Sequence, residues 1–123
     1  MKYVYLWLGG VLGVTARYGL GGWVYRVWGS NFPYGTMVIN VTGCLAIGFL
    51  STLAEGKLLF SPNIRIFLFI GFLGSYTTFS TYMFESYKLL QDGEMLWAMA
   101  NIILSVILGF VGLWLGVLLA RVF

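Results

Sequence analysis

Between Gly71 and Tyr82 the chain reads Gly-Phe-Leu-Gly-Ser-Tyr-Thr-Thr-Phe-Ser-Thr-Tyr, two glycines and five Ser/Thr hydroxyls inside an apolar stretch. Glycine weakens a helix, and Ser and Thr compete for its backbone carbonyls, so this composition predicts a helix broken around 74–78. Freed carbonyls there could hold a cation, and the hydroxyls could meet a small anion. Beyond the break, the spacing puts Thr77, Ser80 and Thr81 on one helical face, with Phe79 and Tyr82 as an aromatic strip beside it. Hydroxyls donate hydrogen bonds and ring edges are weakly positive, which suits an anion that has shed its water. A well-packed helix interface would use the same residues, so the pattern alone leaves both readings open.

The charged residues narrow the chemistry. Arg17 is the one cation placed well inside an apolar run, while the four acids, Glu55, Glu85, Asp92 and Glu94, fall in loops or toward a helix end. A buried charge in a membrane points to function. Glu85, three residues beyond Tyr82, suits a gate, a helix-end anchor or a vestibule charge. Histidine is absent and Cys44 is the sole cysteine, which excludes an intrachain disulfide and a Cys/His metal site. With no histidine to serve as a base, and no suggestive partner for Arg17 or Lys88, the chain is read as a non-enzyme.

These residues need elements to hold them. Sixty per cent of the 123 residues are hydrophobic and nine per cent charged, against about 25% charged in a soluble domain. A lipid surround resolves the deficit. Four apolar blocks, about 3–28, 35–54, 63–90 and 95–122, each approach or exceed the roughly 20 residues a spanning helix needs. The expected fold is therefore an all-α integral membrane protein, a single domain over 1–123 with four transmembrane helices, the third broken near its middle. The breaks at Gly29 to Pro33, Glu55 to Lys57 and Gln91 to Glu94 read as loops. A basic start at Lys2 and a loose Val14-Thr15-Ala16 site resemble a signal peptide. The single-lysine leader and the aromatic, glycine-rich sequence after Arg17 argue against cleavage.

The net charge of +3 is spread along the chain, with most cations near the ends of apolar runs. It is not gathered on a soluble face as nucleic-acid binding would require. Lys2, Lys57, Arg65 and Arg121 fall on one side, and Arg26 and Lys88, with Arg17 if it reaches, on the other. So small a bias permits insertion both ways. Small or polar stripes at Gly9–Gly13–Arg17, at Thr36–Asn40–Cys44–Gly48 and at Asn101–Ser105–Gly109–Gly112–Gly116 suit helices that approach closely in lipid.

At Gly-Ser-Tyr-Thr-Thr-Phe-Ser-Thr-Tyr, from Gly74 to Tyr82, the sequence resembles the Fluc/CrcB family of fluoride channels. Gly9-Gly10 through Arg17-Tyr18-Gly19 is similar to the family's first-helix signature. Pro33-Tyr34-Gly35-Thr36 with Val38-Ile39-Asn40-Val41-Thr42-Gly43 resembles its second, and Gly71-Phe72-Leu73-Gly74 with Thr77-Thr78-Phe79-Ser80-Thr81 and Glu85 its third. The fourth helix matches loosely. The resemblance implies an antiparallel, dual-topology homodimer in the bacterial inner membrane that passes fluoride passively, excludes chloride and relieves cytoplasmic fluoride toxicity. By position, Asn40, Phe79, Tyr82, Thr81 and Ser105 would line the fluoride path, Tyr82 standing where a second Phe is usual. Gly74 and Thr77 would offer backbone carbonyls to a structural sodium ion, and Arg17 would keep the vestibule electropositive or pin the helices there. The rival readings are a small dual-topology drug or cation transporter, whose midplane carboxylate is missing here, and a membrane scaffold in which the stripes serve packing alone.

Overall fold

The computed structural model describes residues 1–57 and 60–123, and of Lys57 the backbone only. All regular structure among them is helical. Helix α1 runs over Lys2–Trp28 and α2 over Tyr34–Lys57. A short α3, Pro62–Arg65, leads into a π-helical stretch, Ile66–Leu73, and then α4, Gly74–Tyr76. After an interruption come α5, Phe79–Gln91, and α6, Met95–Val122. Helix α2 continues through Glu55 and Gly56 to Lys57, so the expected second loop starts later. A charged, glycine-containing tripeptide can end a helix or extend it by a turn when the next element packs close. Here Arg65 donates from its guanidinium to the Ala54 carbonyl at 3.0 Å, tying the last turns of α2 to the next element. The side chain of Lys57, counted above in the charge balance, lies outside the described residues.

Among the described residues three helical stretches are long and apolar enough to cross a membrane: Tyr34–Gly56, Pro62–Gln91 and Met95–Val122. Helix α1 has the length, at 27 residues, but Arg17, Arg26 and its glycines and aromatics dilute it. The chain turns sharply between helices where glycine takes a left-handed conformation, at Gly29 (φ 86°) and Gly93 (φ 76°). Ser61 caps the third rod, accepting from the Ile64 amide at 3.3 Å, and Pro62 follows in the first turn, where its missing N–H costs nothing.

The packing is the reverse of a water-soluble bundle. Large apolar side chains such as Trp7, Leu96 and Phe110 face outward, while the seams between helices are made by small residues. In lipid there is no hydrophobic gain in helix association, so backbone-to-backbone approach supplies the contact. Helix α2 packs most extensively on α6, and α1 on the π-helical stretch. On Gly48 or Gly116 a Cβ would strike the backbone carbonyl of Leu113 or Leu45 across the α2–α6 seam. On Gly9 it would strike the carbonyl of Phe67 in the π-helical stretch. The wider π turn carries Gly71 against Gly9 and Leu6, and Ser75 fastens the same seam by donating to the Gly10 carbonyl at 2.9 Å.

Candidate functional site

The third rod is bent where its backbone opens. Thr77 (φ −87°, ψ 158°) and Thr78 (φ −148°, ψ 122°) are extended between two helical halves. Two hydrogen bonds hold them so. The Asn40 carboxamide grips the Thr78 backbone with both arms, its Oδ1 accepting from the Thr78 amide at 2.8 Å and its Nδ2 donating to the Thr78 carbonyl at 3.0 Å. Thr78 Oγ1 then accepts from the Thr81 amide at 3.3 Å, capping α5. In an unbroken helix the Thr78 amide would close onto the Gly74 carbonyl, and the Thr81 amide onto the Thr77 carbonyl. Both amides are diverted, and the carbonyls of Gly74 and Thr77 lose their helical donors.

Because α5 begins at Phe79, the helical periodicity does not run through the break. Thr77 therefore does not share a face with Ser80 and Thr81 as the spacing suggested. It faces a hollow of about 410 Å³ whose lining includes Asn40, Gly74, Thr77, Thr78, Phe79, Tyr82 and Ser105, with Cys44 and Leu73. No residue of that lining is charged. Phe79 and Tyr82 meet edge to face, centroids 5.8 Å apart at 69°. Tyr82 is buried and its hydroxyl donates to the Ile102 carbonyl of α6 at 2.5 Å, a bond that phenylalanine could not make. Phe79 is 73% exposed, so this wall of the hollow is open to whatever lies beyond the single chain.

Thr81 lies elsewhere. With Arg17, Arg26, Thr36 and Glu85 it lines a second hollow of about 670 Å³, built by α1, α2 and α5. Thr78 borders both hollows. Glu85 is held from two sides: Thr36 Oγ1 donates to Oε1 at 2.8 Å, and the Tyr25 hydroxyl to Oε2 at 3.3 Å. Tyr25 and Glu85 also border a third, outer hollow with Lys88 and Asp92. The sequence-predicted residues thus fall into two groups, an uncharged one of Asn40, Gly74, Thr77, Phe79, Tyr82 and Ser105, and a charged one of Arg17, Thr81 and Glu85.

Sequence reasoning passed over Tyr25, Ser86 and the side-chain role of Asn101. Ser86 and Asn101 form a buried pair between α5 and α6, Asn101 Nδ2 donating to Ser86 Oγ at 2.8 Å. The small-residue stripe on α6 flagged Asn101, but nothing in the spacing identified its partner across the loop. Among the described residues no group of three or more His, Cys, Asp and Glu side chains could hold a metal ion.

Apolar helices of spanning length, small-residue seams and hollows lined by hydroxyls, an amide and ring edges define a multi-pass membrane protein. The family model of the CrcB-like proteins, described as camphor resistance (CrcB), matches residues 4–117, and the chain belongs to that family. A relative from Geotalea uraniireducens (strain Rf4) is 46% identical over 118 residues, covering 96% of this chain and 95% of the relative. Another, from Solibacter usitatus (strain Ellin6076), is 46% identical over 121 residues, covering 98% and 99%. A third, from Citrifermentans bemidjiense, is 42% identical over 120 residues, covering 98% and 97%. Each of the three bears the name fluoride-specific ion channel FluC, a channel rather than an enzyme.

Proposed function

We propose that the chain conducts fluoride passively across the bacterial inner membrane, lowering its toxic level in the cytoplasm, as an antiparallel homodimer of four-helix subunits. The observation that carries this reading is the uncharged hollow at the break. It gathers an amide, hydroxyls and two aromatic edges while keeping formal charge away. Fluoride holds its water tightly, so a pore must replace that shell with donors at close range. It must also let the ion leave, which a full positive charge would hinder. The naming of relatives at 42–46% identity as fluoride-specific channels supports the choice of ion.

The dimer is supported by the open side of that hollow. Phe79 is largely uncovered, and a second copy would close the wall it stands on. The balanced placement of cations suits insertion in both directions. A structural sodium ion fits the chemistry of the break. The Gly74 and Thr77 carbonyls are hard oxygen donors whose helical partners are taken up by Asn40 and Thr78, and a second copy would double the pair. Such an ion would neutralise the carbonyl dipoles where two broken backbones meet.

In the hollow, Asn40, Phe79, Tyr82 and Ser105 would take over the anion's hydration. Arg17 would draw anions toward the charged hollow, where Thr81 and Glu85 form the wall. The deciding experiment is fluoride release from vesicles containing the purified protein, followed with an ion-selective electrode and with chloride as control. Rapid fluoride release with chloride retained is expected. Tight vesicles would indicate a scaffold, and transport answering to organic cations and pH gradients a drug exporter.

A further inference from the structure

Several hydroxyl side chains inside the helices of this chain share one habit. Thr15, Thr42, Thr52 and Ser86 each donate to the backbone carbonyl four residues earlier, at 2.6–2.8 Å. Back-bonding of this kind draws the hydroxyl in against its own helix. Ser105, on the wall of the uncharged hollow, departs from it. Its hydroxyl donates to the side-chain oxygen of Asn101, at the much longer distance of 3.4 Å.

The polarity of this bond is set two steps away. Ser86 has one hydroxyl proton, and it goes to the Tyr82 carbonyl at 2.8 Å. Ser86 Oγ must then accept from Asn101, which turns Nδ2 toward Ser86 and Oδ1 toward Ser105. Ser86 (2% exposed) and Asn101 (1%) are sealed from solvent, so no water competes for these positions. We propose that Asn101 is a positioning residue for conduction: locked by Ser86, it diverts the Ser105 hydroxyl from its own helix onto a long bond that an anion in the hollow can displace. The proposal rests on the conducting role above. Without Asn101, Ser105 back-bonds like the other hydroxyls and its proton is withdrawn from the ion.

The test is a double-mutant cycle on fluoride release from vesicles, with Asn101→Ala, Ser105→Ala and the pair, each first checked for an intact assembly by size exclusion. Each single change is expected to slow release about tenfold, the effect of losing one hydrogen bond to an ion. The double variant is expected to be slower than Ser105→Ala by less than about twofold, because Asn101 acts through a hydroxyl no longer there. A purely structural Asn101 would slow release by the same factor in both backgrounds, and that result overturns the proposal. If Asn101→Ala does not assemble, Ser86→Ala takes its place in the same cycle, with an expected loss of about threefold that vanishes without Ser105. Wild-type vesicles that retain fluoride would remove the conducting role itself. Wild-type release with additive losses removes the positioning role alone.

Discussion

The two hollows that meet at Thr78 are made of neighbouring helices yet differ in how they can treat an ion. The one walled by α2, the broken rod and α6 is uncharged, with amide, hydroxyls and ring edges. The one walled by α1, α2 and α5 carries two arginines and one glutamate, and that glutamate is tethered by Tyr25 and Thr36. Charge acts at a distance and raises local ion concentration, but it grips a bare ion. Neutral donors act only in contact and release what they bind. The difference suggests a division of labour, collection on the charged side and dehydration on the neutral one.

The sharpest way to break that contrast is to put charge on the neutral side. Asn40→Asp should cut fluoride release by about a hundredfold or more, since a charge at membrane depth costs about 3 kcal/mol and the new oxygen faces the Thr78 carbonyl instead of donating to it. Release from vesicles, with size exclusion confirming an unchanged assembly, measures it, and wild-type rates would remove Asn40 from the path. Phe79→Ile removes a ring edge but keeps an apolar side chain, and about a tenfold loss is expected with the assembly intact. On the charged side, Arg17→Gln should slow release only about threefold at low ionic strength, and the loss should fade as inert salt is raised toward 1 M. A salt-independent loss would instead mark Arg17 as a helix pin. The smallest effect is expected for Tyr82→Phe. Losing the bond to the Ile102 carbonyl should lower thermal stability in detergent by about 1 kcal/mol while leaving release within about twofold.

Much of this architecture can be read from composition and period. Glycines four apart foretold the tight seams, because nothing larger fits between backbones without hydrophobic help. Glycine and threonine packed into Gly74 to Thr78 foretold a bend, because those residues offer the chain other hydrogen bonds than the helical ones. The π turn over Ile66–Leu73, which packs on α1, was not legible, since its residues are as suited to an α-helix. The assignment of Thr81 with Thr77 failed because a period cannot be carried through extended residues. Partners such as Asn40 with Thr78, Thr36 with Glu85 and Ser86 with Asn101 lie on different helices, and spacing within one helix says nothing about them.

Thr78 is a party wall, and its main chain is gripped by a residue on another helix. A shift of α2 along its axis would pull that wall and reshape both chambers together. On the proposed division of labour, capture and stripping of the ion would be geared to one another, and substitutions that retune one without the other are to be sought far from Asn40.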